Sequence, residues 1–236
     1  MIERYKTVKD WFFLYALIGL LLLGCFIQLN NYTQIAQLIL AACIPLFVLH
    51  YLVLKVDFSL LYIAIIVLLF IAIVIGACRN KHYVFDKISP IITQLGYLCF
   101  VFLSLKSYKS LDVKGFTGFY FLFVFLVNLI LTLLFFTYLS ANMSKVYDIV
   151  VLGSGCVIFI LLGFLSYSNY LKDGEKKSLL FVFMVLSFAA AEINFHIDRH
   201  YLSNIMFKCL DYLFYISGIY FMFAYMKETS DINKKI

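Results

Sequence analysis

The feature that most constrains this chain is a series of long, nearly uncharged apolar segments. About 20 apolar residues in a helix cross the ~30 Å hydrocarbon core of a bilayer. The segments lack the alternating pattern of barrel strands, and a helix satisfies its own backbone polar groups in lipid. The sequence therefore predicts an all-α, polytopic integral membrane protein, a bundle of eight transmembrane helices over 11–29, 35–54, 58–77, 90–105, 116–139, 147–168, 178–195 and 203–226.

Composition excludes a soluble globular domain. Hydrophobic residues make up 64% of the 236 residues and charged residues 14%, against about 45–50% and about 25% in soluble domains. The basic residues behind the net charge of +6 lie mainly in short loops, so no nucleic-acid partner is predicted. The six cysteines are widely spaced without a C-x-x-C pair, so no zinc ribbon or redox cofactor is predicted.

Loop charges predict the orientation of the bundle. The side that holds the amino-terminus carries 13 Lys and Arg residues, and the opposite side carries 5. Cytoplasmic loops are enriched in Lys and Arg, so both termini are expected to be cytoplasmic, which requires an even number of spans. The first apolar run is longer than the apolar region of a signal peptide. We therefore predict a multi-pass protein of the plasma (inner) membrane.

A short internal similarity is present within this single domain of residues 1–236. The tripeptide KHY (81–83) follows the third segment and RHY (199–201) follows the seventh, 118 residues later. Repeats at a fixed spacing indicate a duplicated architecture. The spacing suggests a weak repeat of four helices each, over 1–115 and 116–236.

Ionisable residues at membrane depth cluster in the last two segments. Such groups are costly in lipid and usually face a cavity or a partner. Glu192, His196 and His200 are four residues apart and form one stripe on the seventh helix, with Arg199 beside it. The eighth helix carries Lys208, Asp211 and Tyr215.

The link between these two helices is short, which predicts antiparallel neighbours. Their polar ends then meet on the outer side, and one shared polar pocket is expected there.

Several functions fit this cluster. Glu192 paired with Lys208 is a structural salt bridge, which suits a non-enzymatic subunit that docks a partner. A metal on the histidine stripe needs further ligands. The H-x3-H spacing of His196 and His200 resembles the ceramidase/progestin-receptor superfamily, which implies a His of helix 2 and an Asp of helix 3 as the other ligands. His50 and Asp57 lie near the inner end, ~30 Å away along a helix of ~20 residues, so no metal is predicted. Glu192 and Asp211 as a carboxylate pair suit acid–base chemistry on a lipid. A small proton-coupled carrier is a further alternative.

The chain resembles the YhhN/lysoplasmalogenase family of eight-helix membrane hydrolases. The similar segments are FAAAE (188–192), RHY (199–201), YISG (215–218) and LGYLCF (95–100). Ala191-Glu192 stands at the family's Ser-Asp pair. Two other positions differ, since Ile44-Pro45 and Gly76-Ala77 replace the family's Lys-Pro and Gly-Asp.

The resemblance implies hydrolysis of lipid vinyl ethers, with membrane lipids as partners and a lysophospholipid-like substrate. In this reading Glu192 donates a proton to the alkenyl carbon and Asp211 stabilises the resulting oxocarbenium ion. His196 shuttles the proton. The substrate-binding residues are then Arg199 and Lys208, which hold the phosphate, with Tyr215 and His200 in the same pocket.

Overall fold

The computed structural model describes residues 2–30, 32–78, 83–108 and 115–233, and these form eight helices. No strand occurs among them. The helices are α1 (Ile2–Leu29), α2 (Thr33–Val53), α3 (Leu60–Ala77), α4 (Tyr83–Ser107), α5 (Gly115–Ser140), α6 (Val146–Asp173), α7 (Lys176–His200) and α8 (Ile205–Asn233).

Seven of these helices, α2 to α8, are long and apolar enough to cross a membrane. In α1 the apolar part within the described residues is shorter, Tyr15–Leu29. The predicted all-α class and the predicted multi-pass character are therefore confirmed, with each helix satisfying its own backbone hydrogen bonds. Lys81 and His82, which carry the first half of the suggested repeat, lie outside the described residues, so the repeat stays a prediction.

Several helices are longer than their predicted apolar segments, and α4 and α7 are examples. The sequence predicts 90–105 for α4 and 178–195 for α7, whereas the helices cover Tyr83–Ser107 and Lys176–His200. The predicted start of the fourth helix at residue 90 is wrong, since Pro90 lies inside α4. An apolar run marks the part of a helix within hydrocarbon, and the helix continues past that part into polar residues.

A tight link makes α6 and α7 antiparallel neighbours. Gly174 ends α6 in a left-handed conformation with φ of 59°, and its N–H donates to the carbonyl oxygen of Tyr170. Glycine adopts positive φ without steric cost. Because α7 begins only two residues later, at Lys176, it packs back along α6.

The core of the bundle is built from aromatic rings on α2, α4, α7 and α8. Phe47 of α2 stacks on Phe223 of α8 at 5.1 Å between ring centroids. Phe188 of α7 lies 6.1 Å from Phe100 of α4 and meets Tyr215 of α8 edge-on at 5.4 Å. The α7–α8 contact is the most extensive in the bundle, which confirms that these helices are neighbours.

Helix α5 lies at the edge of the bundle. It packs on α6 and touches α7 only slightly. Only 6% of its membrane-spanning part is buried inside the chain. Its large apolar side chains therefore face lipid, and one side of α5 closes the apolar cavity described below.

Gly218 of α8 lies against the ring of Phe188 of α7. A β-carbon at this position would lie 2.7 Å from the ring of Phe188, whose side chain is fully buried. We expect Gly218→Ala to lower the free energy of unfolding by about 1–3 kcal/mol, the usual cost of overpacking a core. Thermal unfolding in detergent measures the effect.

The matched control is Gly19→Ala in α1, where an added β-carbon meets nothing within 4 Å. Alanine is favoured over glycine in helices by about 1 kcal/mol, so this variant is expected to be as stable as the wild type or more so. Equal melting temperatures for the two variants would contradict the predicted packing.

Candidate functional site

Helix α7 borders two cavities. An apolar cavity of about 580 Å³ lies between α4, α5, α6 and α7. A polar cavity of about 480 Å³ is lined by residues of α1, α2, α4, α7 and α8 at the end of the bundle where α7 joins α8. Glu192 and His196 line the first cavity, and Phe195, Asp198 and Arg199 line the second.

The Glu192 carboxylate is the centre of a polar cluster on the wall of the apolar cavity. The Tyr97 hydroxyl of α4 donates a hydrogen bond of 3.0 Å to Glu192 Oε1. His196 Nε2 lies 3.8 Å from Glu192 Oε2. The side chain of Glu192 is 27% exposed and lines the cavity, while Tyr97 holds its carboxylate.

The predicted stripe on α7 is confirmed. The rings of His196 and His200 stack with centroids 5.8 Å apart and an interplanar angle of 20°. His196 is buried, and its Nδ1 atom has no hydrogen-bond partner within the described part of the chain. Glu192, His196 and His200 thus form a continuous row, of which the first two line the cavity.

The polar cavity is organised by an ion pair between α4 and α7. Arg199 Nη2 lies 2.6 Å from Asp86 Oδ2, and both side chains are about three-quarters buried. Asp198 accepts hydrogen bonds from the Ser203 hydroxyl at 3.3 Å and from the Asn204 backbone N–H at 3.1 Å. Asp198 therefore holds the link that leads into α8.

The expected common recess for the two carboxylates is wrong. Asp211 lines the polar cavity and Glu192 lines the apolar one. Lys208, the predicted salt-bridge partner of Glu192, lines the polar cavity with Asp211. The physical reason is that α8 presents Lys208 and Asp211 towards α1 and α2, whereas Glu192 faces α4 and α5.

Tyr215 and His200 line neither cavity. Tyr215 is buried, packs edge-on against Phe188, and has a hydroxyl without a hydrogen-bond partner among the described residues. Neither side chain therefore belongs to the lining that contains Asp211, although buried Tyr215 interacts electrostatically with both Asp211 and Glu192. His50 stacks on Phe13 of α1 with 4.0 Å between centroids, far along α2 from the α7 stripe.

The described residues contain no group of three or more His, Cys, Asp and Glu side chains that could hold a metal ion. In the cluster around Glu192, one phenol lies 3.0 Å and one imidazole 3.8 Å from the carboxylate. Such a set is suited to proton transfer.

Sequence reasoning missed the contribution of α4. Asp86, Gln94 and Tyr97 all lie on this helix and line one cavity or the other. Gln94 donates a 2.6 Å hydrogen bond to the Val151 carbonyl of α6. A polar side chain inside an apolar segment is the signal that could have identified Gln94, and Asp86 has the charge opposite to Arg199.

The fold and the two cavities define a multi-pass helical membrane protein with a cluster of ionisable side chains on an apolar cavity. No protein family, curated protein or solved structure matches the chain.

The Arg199–Asp86 ion pair is expected to stabilise the contact of α7 with α4. In a double-mutant cycle of Arg199→Gln and Asp86→Asn, we expect a coupling free energy of about 0.5–3 kcal/mol, the range for residues in contact. Unfolding in detergent provides the four free energies. A measurable coupling is expected because both Arg199 and Asp86 are largely shielded from solvent.

The matched control is the pair Lys176–Glu228 at 3.1 Å, in which Lys176 is 73% exposed. Exposed pairs contribute about 0–1 kcal/mol. A coupling for Arg199 and Asp86 no larger than that of the control pair would show that the α4–α7 ion pair has no structural role.

Proposed function

We propose that this protein is a membrane-embedded, lipid-directed hydrolase of the lysoplasmalogenase type. The observation that carries the proposal is the Glu192 carboxyl group on the wall of an apolar cavity, with the Tyr97 hydroxyl and the His196 ring beside it. An apolar cavity suits the hydrocarbon chain of a lipid. A carboxyl group in apolar surroundings favours its uncharged form, which is the form that donates a proton.

A single carboxyl group is sufficient for hydrolysis of a vinyl ether. The Glu192 carboxylic acid donates its proton to the alkenyl β-carbon, and an oxocarbenium ion forms at the carbon bonded to the ether oxygen. The carboxylate that remains stabilises this cation and then takes a proton from the water that adds to it. The hemiacetal collapses to the aldehyde of the chain and the chain-free alcohol of the glycerol headgroup. One water is consumed, and the carboxyl group returns to its protonated form.

The neighbours of Glu192 have separate roles in this scheme. The Tyr97 hydroxyl orients the carboxyl group through its 3.0 Å hydrogen bond. His196, at 3.8 Å, relays protons to and from the carboxyl group. Asp211 takes no part in the scheme because it lines the other cavity. Phosphate binding by Arg199 and Lys208 stays a prediction.

One observation favours the non-enzymatic alternative. Arg199 is already engaged by Asp86 at 2.6 Å, so part of the charged cluster holds helices together. A subunit that only docks a partner uses ion pairs such as Arg199–Asp86 to hold its helices together. It has no use for the Glu192 carboxyl group on the apolar cavity. The activity of Glu192 variants distinguishes the two functions.

We expect Glu192→Gln to lower aldehyde release from a vinyl-ether lysolipid by about 10²–10⁴-fold, the usual loss when a general acid is removed. Glutamine keeps the size of the side chain and loses the acid. The measurement is aldehyde production by purified protein in lipid nanodiscs.

The matched control is Glu228→Gln, the same change at the other end of the bundle, where Glu228 pairs with Lys176. This variant is expected to keep wild-type activity. Full aldehyde release by Glu192→Gln would refute the catalytic role, and a wild-type protein that releases no aldehyde would refute the hydrolase.

For the orientation, we propose eight spans with both termini in the cytoplasm, in the plasma (inner) membrane. The proposal is supported by the eight helices of the described residues and by the 13 to 5 distribution of basic residues between the two sides. The apolar part of α1 then completes the first span.

A reporter that folds only in the cytoplasm is expected to be active when fused after residue 236 and inactive when inserted at 141–145, between α5 and α6. The positive-inside rule places these two positions on opposite sides. Reporter activity at both positions, or only at 141–145, would contradict this orientation.

A further inference from the structure

We infer that the apolar cavity is a binding site for one hydrocarbon chain of a membrane lipid, whose polar end lies at Glu192 and His196. The inference rests on the proposed function in one respect, that the bound chain belongs to the substrate. Chain binding itself requires only the shape and chemistry of the cavity.

The cavity is elongated along the helices. Its lining runs from Phe121 to Phe135 on α5 and from Val182 to His196 on α7. At about 1.5 Å per residue, each of these stretches is about 21 Å long. This is about two-thirds of the ~30 Å hydrocarbon core, so the cavity runs parallel to the lipid tails and has the length of a long alkyl chain.

Three polar side chains of the wall away from Glu192 donate hydrogen bonds within their own helices. Asn128 donates to the Val124 carbonyl and Thr132 to the Asn128 carbonyl, each at 2.8 Å. Ser166 donates to the Gly163 carbonyl at 3.1 Å. The remaining wall is mainly Phe, Leu, Val and Ile. Contact between this wall and an apolar chain is therefore favourable, because both surfaces are removed from water.

The polar groups with remaining capacity lie at one end of the cavity. The side chain of Glu192 is partly exposed and lines this end, as does His196. The Nδ1 atom of His196 is shielded, so the side chain that the polar end of a bound lipid reaches is mainly that of Glu192. His196 is four residues from the end of α7, about 6 Å along the helix, so a chain bound here has its polar end near the membrane surface.

Helix α5 offers lateral access from the bilayer. It touches α7 only slightly, and its membrane-spanning part is almost entirely uncovered by the rest of the chain. The cavity is bounded on one side by this helix. A lipid chain can therefore pass between α5 and α7 without first leaving the hydrocarbon core.

Gly163 of α6 provides a way to block the cavity. It lies in the lining, and an added β-carbon meets nothing within 4 Å. Gly163→Leu fills the cavity without a clash at the β-carbon. Gly19→Leu is the matched control, because Gly19 also meets nothing within 4 Å and lies outside the cavity.

The test uses a lysophosphatidylethanolamine with a diazirine on its chain, added to the purified protein in phosphatidylcholine vesicles. Cross-linked residues are mapped by mass spectrometry after illumination. Wild type and Gly19→Leu are expected to be labelled at cavity-lining residues of α5, α6 and α7. Labelling of Gly163→Leu is expected to fall by about tenfold, which corresponds to a steric cost of about 1.4 kcal/mol.

Equal cavity labelling of Gly163→Leu and wild type would overturn the inference, as would labelling spread evenly over the lipid-facing sides of all helices. Melting temperatures verify that both leucine variants are folded. If Gly163→Leu fails to fold, Ala189→Leu replaces it, because Ala189 is another small residue of the lining. The same tenfold loss of labelling is expected.

The outcomes for binding and for hydrolysis are distinguishable. Glu192→Gln is expected to keep cavity labelling and to lose aldehyde release. Cavity labelling of a wild-type protein that releases no aldehyde supports chain binding and overturns the hydrolase. Aldehyde release without cavity labelling overturns chain binding and leaves the hydrolase supported.

Discussion

The structure depends on one constraint, that every backbone N–H and carbonyl group inside hydrocarbon needs a hydrogen-bond partner within the protein. Helices meet this constraint individually, so a chain of apolar segments becomes a chain of helices before any tertiary contact is specified. Side chains are then left to decide how the helices pack. Aromatic rings of α2, α4, α7 and α8 form the core, and close approaches such as that of Gly218 to Phe188 bring helices together.

Helix α7 links the two parts of the candidate site. It presents Glu192 and His196 to an apolar cavity and Arg199 to a polar one, and both sets are tied to α4, through Tyr97 in the first case and Asp86 in the second. The arrangement separates an acid in apolar surroundings from a cluster of paired charges. Such a separation supports the proposed lipid substrate, because the chain and the charged groups of a lipid need different environments.

Much of the fold follows from the sequence, whereas less of the site does. The eight helices, the antiparallel α7–α8 pair and the Glu192–His196–His200 stripe follow from local rules of length, link and helical spacing. The contributions of Tyr97 and Asp86 do not, since each is distant along the chain from its partner on α7. The common recess for Glu192 and Asp211 was wrong because proximity to the same loop does not specify which cavity a side chain faces.

By itself, the sequence determined that the chain is helical and membrane-spanning, and which helix carries the acid. These properties depend on apolar length and on spacing along one helix, both of which are local. Only the tertiary structure decided that Glu192 meets Tyr97 on an apolar cavity and that Asp211 belongs to another. The reason is that helical periodicity gives the angle between residues of one helix, whereas the neighbours around that helix are chosen by packing of the whole bundle.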